Sequence, residues 1–354
     1  MKALCCILAM PLLAFLANAD EIGFWGFESA AKRELNGKIW EAQLEDFSRT
    51  AYARKVDSLF AEFEKVTGKR LVPGEQGKAA LKVYTNSGAG LQTSPELVRA
   101  VIAALLERGF QREDLCLLDA RSDMLRDAGF LPPHSRIQLM GPYFEGVRVY
   151  SLDRKELKSP VWYYDSPLPQ EFTTPLGRAI LGNQLELDPV EARKSYLPEN
   201  LVTGVDFWIN LPVACHHPSA GLSGALVNAS LWNITNGTRF FNSPANAPVA
   251  VAEISSIPEL QATWALNLIS LESYQFIAGP AFNANYTRSL PELWLSVDPV
   301  VMDTRLIRLI NKARREEGFE ELPAIPEFIE YSIDLGLGLP FQLGQTLSAN
   351  PGSD

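Results

Sequence analysis

The stretch ALKVYTNSGAGLQTSPELVRAVIAALLERGFQREDLCLLDA, residues 80–120, decides the fold. Ala80–Thr85 has the apolar, β-rich character of a buried strand, and the turn Asn86-Ser87-Gly88-Ala89-Gly90 ends it. A helix follows. Ser94 can cap it, Pro95 suits its first turn, Val98, Val101, Ile102 and Leu105 form one apolar face, and Gly109 stops it. Leu115–Ala120 is then a second buried strand, Asp123–Ala128 a short helix and Arg136–Met140 a third strand. Strand, helix, strand, helix, strand is the order that builds a parallel sheet.

Upstream, Ala30 to Gly68 carries apolar residues at three/four spacing: Trp40, Leu44 and Phe47, then Val56, Leu59, Phe60 and Phe63. This pattern predicts an amphipathic helical segment ended by Gly68. Downstream, Gly141 to Asn200 is rich in Pro and aromatic residues and gives few periodic signals beyond a hairpin around Val161-Trp162-Tyr163-Tyr164. Regularity returns with a buried strand at Val205–Leu211 and a helix at Thr304–Glu316, followed by Gly318. The expected architecture is α/β: two Rossmann-like units, 79–200 and 201–340, with a crevice between them. A helical extension (20–78) precedes them and a flexible tail (341–354) follows. No repeat of solenoid length is evident.

The 354 residues carry 32 Lys+Arg against 42 Asp+Glu, a formal charge of -10, with 47% hydrophobic and 21% charged residues. Such a composition excludes a disordered chain, a collagen and a disulfide-stapled miniprotein. The acidic balance argues against nucleic acid, whose binding needs clustered Lys and Arg. The first 19 residues read as a secretory signal peptide: Met1-Lys2, an apolar run from Ala3 to Leu16, and Ala17-Asn18-Ala19 before Asp20. The expected location is therefore secreted or periplasmic, with no membrane span, because no later stretch is long and apolar enough. A lipoprotein reading through Cys5 or Cys6 is disfavoured by the short apolar segment ahead of them. Cys116 and Cys215 could pair in an oxidising compartment, but Cys116 in Leu115-Cys116-Leu117-Leu118 reads as a buried, unpaired strand residue. The sequons at Asn228, Asn233, Asn236 and Asn285 are taken as coincidence, since the lean signal peptide looks bacterial.

The chain has three histidines, His134, His216 and His217. The adjacent pair follows a predicted strand and precedes the small-residue run Ser219 to Ala225, at the carboxyl end of a strand, where open α/β sheets bind ligands. Strand alternation puts Cys215 and His217 on one face. Together they could begin a metal site, but no second Cys/His cluster completes it. The Gly88-Ala89-Gly90 turn lacks the third glycine of a dinucleotide fingerprint. Asp298 before Pro299, and Asp303 near a helix start, read first as caps. Gly221-Leu222-Ser223-Gly224 misses the spacing of a serine-hydrolase elbow.

From about Leu81 to Gly338 the chain resembles the exported branch of a bacterial and archaeal domain-of-unknown-function family often called iron-sulfur-centre proteins. The resemblance is carried by Asn86, Thr93-Ser94-Pro95-Glu96-Leu97-Val98, Ile209-Asn210-Leu211-Pro212-Val213 leading to His217, Ala220-Gly221-Leu222-Ser223 with Asn228, Gly279-Pro280, Asp298-Pro299-Val300 with Asp303, and Leu335-Gly336-Leu337-Gly338. It implies lysines where this chain has Tyr84, Cys215 and Val227, an acidic residue at His216 and a histidine at Phe241. Through His-x-x-Ala-Gly-x-Ser-Gly the family is distantly similar to nickel-pincer lactate racemases, whose cofactor is tethered to a lysine ten residues after the histidine. Val227 occupies that position, so a tethered pincer is not expected. An iron-sulfur cluster is not expected either, for want of a four-cysteine pattern.

The leading expectation is a binding protein for a small molecule or a cell-envelope partner, with catalysis altered or lost. Its crevice would be lined by Asn86, His217, Ser223, Asn228, Asp298 and Asp303. One alternative is an active enzyme with His217 as general acid/base on a small, hydroxy-acid-like substrate; another is a structural envelope protein. The crevice hypothesis requires Asn86 and Asp298 to converge on His217.

Overall fold

A computed structural model describes residues 23–26, 30–133, 141–153, 158–166, 190, 193–241, 246–342 and 346–348. The expected signal peptide, His134 and the strand expected at Arg136–Met140 lie outside these residues. In chain order the strands are β1 (Ile39–Gln43), β2 (Ala79–Val83), β3 (Leu115–Asp119), β4 (Tyr143–Phe144), β5 (Val147–Ser151), β6 (Lys158–Asp165), β7 (Lys194–Pro198) and β8 (Phe207–Leu211). They continue with β9 (Cys215–His217), β10 (Gly221–Ser223), β11 (Trp264–Ser270), β12 (Tyr274–Gln275), β13 (Thr287–Arg288), β14 (Glu292–Ser296) and β15 (Thr346–Ser348).

Nine strands form one mixed sheet in the order β15-β1-β14-β11-β8-β2-β3-β5-β4. Its centre, β11-β8-β2-β3-β5, is parallel throughout. Numbered by their own succession, these five strands run 5-4-1-2-3, so the chain winds outward from β2 in one direction and then from β8 in the other. This is the doubly wound α/β arrangement. In place of two separate Rossmann-like units, one sheet runs across both expected ranges: β2 and β8 pair directly in parallel from Ala79↔Phe207 to Val83↔Leu211. The reversal of winding lies between these two strands.

Both faces of the sheet are covered. One packs against α1 (Arg49–Thr67) and α2 (Pro95–Glu107), the other against α3 (Ala225–Ala229), α4 (Ala247–Ser255), α5 (Pro299–Glu316) and α6 (Glu327–Asp334). Strands buried on both sides read as continuous apolar runs, as β8 (Phe-Trp-Ile-Asn-Leu) does. Ser48 caps α1 by accepting from the Ala51 amide, and Gly68 ends it at φ 69°. Ser94 stands before Pro95 at the start of α2, but its side chain makes none of the expected capping hydrogen bonds; Gly109, at φ 105°, lies just past the helix end as expected.

The N-terminal segment departs from expectation. Ile39–Gln43 is a strand, antiparallel to β14 and parallel to β15. Trp40 and Leu44 fit helical spacing, but Ile39 faces one core and Trp40 the other. That opposition of neighbours is the strand period, and pairing between two other strands decides it. The hairpin expected around Val161–Tyr164 is β6 paired antiparallel with β7, a partner distant in sequence.

Candidate functional site

Near the carboxyl ends of the central strands, apolar runs are interrupted at matching levels. Lys82 of β2 pairs in register with Asn210 of β8, Asn210 with Asn267 of β11, and Asn267 with Ser296 of β14. Residues in register share a face, so these four side chains form a polar row under α3. All four are fully buried, as is Asp119 at the end of β3. The Lys82 ammonium donates to Asp119 Oδ1 at 2.7 Å, Asn228 Oδ1 at 2.9 Å and the Val83 carbonyl at 2.7 Å. Asn228 then donates to Asn210 at 2.8 Å, Asn210 to Asn267 at 2.8 Å, and Asn267 to the Ser296 carbonyl at 3.1 Å. Asp119 also accepts from the amide and hydroxyl of Thr85 and from the Ala120 amide. Burial pulls the Lys82 pKa down while Asp119 opposes it. Three N–H groups meet three acceptors, so this buried cation is held and not exposed for chemistry.

Sequence reasoning passed over Lys82, Asp119, Asn210 and Asn267 as site residues. A signal was available: one polar residue inside each apolar strand, two or fewer positions from the carboxyl end in β2, β3 and β8.

Around β9 the packing is apolar. Cys215 and His217 are buried and His216 is half-buried, the alternation expected of a strand. The His217 ring lies 4.2 Å from that of Phe241 and 6.3 Å from that of Trp232, and its Nδ1 accepts from the Ser219 amide. Burial first, then His216, pushes its pKa down to about 4. His216 is also pushed down to about 4, by burial and by the Arg314 charge. Both imidazoles are therefore neutral near pH 7. The positions where the resemblance implies lysines, Tyr84, Cys215 and Val227, are fully buried in one core. The Tyr84 hydroxyl bonds Ser87 at 2.7 Å, and Ser87 reaches the Cys215 thiol at 3.8 Å. Ser223 accepts from Trp232 Nε1 at 3.2 Å.

The acidic candidates serve the backbone. Asp298 caps α5 through the Val300 and Val301 amides and also accepts from Gly37 and Leu339. Burial raises its pKa to about 6. Asp303 accepts from Ala225 and Leu226 at the start of α3, and burial raises it to about 7. The adjacent motif glycines are explained by the same contacts: a Cβ on Gly338 would strike Asp298, one on Gly224 would strike Asp303, and one on Gly279 would strike the His216 carbonyl.

The expected convergence of Asn86 and Asp298 on His217 fails for Asp298 on strand direction. β14 runs antiparallel to β11, with Ser296 opposite Asn267, so the chain leaves β14 toward Asp298 in the direction of the amino ends of the parallel strands. Asn86 follows β2 at the carboxyl edge, where its amide approaches Asp119 at 3.4 Å. Asn228 and Asn86 thus join the Lys82–Asp119 group, Ser223 the aromatic cluster, and Asp298 and Asp303 neither.

The two cysteines among the described residues, Cys116 and Cys215, are free, and burial pushes each thiol up to about 12. Cys116, expected to be buried, is partly exposed and accepts from Asn200. Among the described residues no three His, Cys, Asp or Glu side chains are grouped to hold a metal. No helix among them is long and apolar enough to cross a membrane.

The carboxyl edge does open elsewhere. A cleft of about 290 Å³ lies between the loop after β2, the start of α2 and the segments after β8 and β11. Pro95, Leu97, Pro212 and Val213 give it an apolar wall; Gln92, Ser94, Ser270, Glu272 and Ser273 give it polar groups. Its size is at the small end of the ~300–1,000 Å³ typical of ligand pockets, and its place beside the reversal of winding is where such sheets bind ligands.

No family model matches the chain, and no curated protein matches it. Among solved structures it is similar to a Thermotoga maritima protein determined by a structural genomics consortium, at a TM-score of 0.36 and 12% identity. The match covers 77% of this chain and 59% of that one, so the chain spans less than two thirds of that protein's length. A likeness this distant assigns no function.

Proposed function

We propose that the protein is an exported small-molecule-binding protein whose ancestral catalytic crevice has been filled, and that its ligand occupies the cleft beside α2. The observation that carries this reading is the packing of His217: 2% exposed, faced by Phe241 and Trp232, and neutral near pH 7. A general base must reach a substrate proton, and this ring is surrounded by protein. The three positions implied to be cationic support it further, because a tyrosine, a thiol and a valine packed in one core leave no open crevice for an anion.

The experiment is a thermal-shift screen of small amines, hydroxy acids, sugars and nucleotides against the wild type, His217→Ala and Ser273→Trp. Ser273→Trp places an indole in the cleft. A ligand that stabilises the wild type should stabilise His217→Ala by a similar shift, from a lower starting Tm, and should leave Ser273→Trp unmoved. Loss of the ligand response in His217→Ala at unchanged Tm would instead assign the histidine to the site.

A further inference from the structure

The chemistry of the cleft selects among ligands. Its charged wall residue is Glu272, two positions beyond β11. The Tyr52 hydroxyl, on a fully buried ring of α1, donates to Glu272 Oε2 at 2.8 Å and also bonds Ser270 Oγ at 2.7 Å. The Glu272 amide in turn donates to Ser270 Oγ at 3.1 Å. A surface glutamate samples many rotamers, but this one is held by a rigid aromatic donor and by its own backbone. Oε1 has no hydrogen-bond or ion-pair partner among the described residues.

The cations that close on Glu96, in the first turn of α2 beside the cleft, are already engaged. Arg49 pairs with Glu96 at 3.0 Å, and Arg99 pairs with Glu96 at 2.7 Å and Glu145 at 2.6 Å. The positive end of α2 also faces this region, but Glu96 lies in its first turn and offsets the unpaired amides there. The cleft therefore presents one fixed, unneutralised carboxylate beside the apolar wall of Pro95, Leu97, Pro212 and Val213.

We infer that the cleft binds a small organic cation, a primary ammonium carried on a short apolar body, with Glu272 accepting the ammonium and the proline–valine wall covering the carbon chain. This inference rests on the cleft being the ligand site. A carboxylate oxygen with a free acceptor position gains a charge-assisted hydrogen bond from an ammonium, whereas a carboxylate ligand would meet like charge.

Three isosteric probes separate the possibilities: n-butylammonium, butyrate and n-butanol, titrated into the full-length protein and followed through the amide NMR signals of Gly90, Val213 and Ser273. Butylammonium should shift these signals saturably, more tightly than the other two. Glu272→Gln, which keeps an acceptor for Tyr52, should weaken butylammonium binding about tenfold or more while leaving the response to butanol unchanged. Glu272→Ala should do the same if the glutamine variant folds poorly. If butanol or butyrate binds there as tightly as butylammonium, or Glu272→Gln has no effect, the cleft is a site but the cation assignment is wrong. If none of the three probes shifts these amides, the cleft itself is not the ligand site, and the proposed function fails with it.

Discussion

Lys82 is a fully buried cation whose three donors meet a carboxylate, an amide oxygen and a backbone carbonyl, so its desolvation is offset only while all three remain. Removing one partner should cost more than removing the pair. Asp119→Ala is expected to destabilise by about 3–5 kcal/mol in urea unfolding, and the double variant Lys82→Met/Asp119→Leu by clearly less. A double variant at least as unstable as the single would mean that the ion pair contributes net stability. Sequence alone shows a lysine in Ala79-Ala80-Leu81-Lys82-Val83, but not which residues on other strands receive it. Asn86 and Asn228 were legible as candidates because they stand in recognisable motifs. Their partners Asp119 and Asn210 lie in strands whose relative order and register are three-dimensional facts. The row also explains why a motif can look like a site: a buried polar network constrains its residues as tightly as catalysis does.

At the level of the element, the glycine stops at Gly68 and Gly109 were readable because they act within a few residues, whereas the cap at Ser48 fell inside a segment read as one continuous helix. Ser48 accepts from the Ala51 amide at 3.2 Å, and Ser48→Ala should cost about 1 kcal/mol of stability, measurable as a lowered urea midpoint at unchanged slope. β1 was not readable. Trp40 and Leu44 fit a helical stripe, and only the pairing of β1 with β14 and β15 turns the segment into a strand. Asp298 shows the same contrast between local and distant bonds. Capping through Val300 and Val301 follows from its place before Pro299, whereas the bonds from Gly37 and Leu339 bring two remote segments to one carboxylate. Asp298→Ala would strand four amide donors and should cost more than Ser48→Ala, by several kcal/mol. Gly338→Ala should be destabilising through the same carboxylate, since its methyl group would displace Asp298. Equal stability of Gly338→Ala and the wild type would contradict that packing.

Across the whole molecule, the doubly wound order was legible in outline from alternating strands and helices, while the direction of β14 was not. That direction separates Asp298 from Asn86 and so dismantles the crevice expected from the sequence. It also leaves two buried carboxyls and two half- to fully-buried histidines with opposite effects on stability. Asp298 and Asp303 are raised from 3.8 to about 6 and about 7, so the folded chain retains protons that the unfolded chain releases. Their contribution is full below about 3.8 and is lost as pH rises from there through 6 to 7. His216 and His217 are lowered from 6.5 to about 4, so theirs is full above 6.5 and declines as pH falls toward 4. The stability advantage of the wild type over His216→Asn/His217→Asn should therefore grow between pH 4.5 and 6.5, as followed by urea midpoints; a constant difference would mean that the histidines are solvated. The most direct test of the central claim, that His217 is sealed packing and the ligand lies in the cleft beside α2, is an NMR titration of the His217 imidazole. The account predicts a midpoint near 4 that does not move when a ligand occupies the cleft. A midpoint near 6.5 or above that shifts on ligand binding would contradict it and return His217 to the functional site.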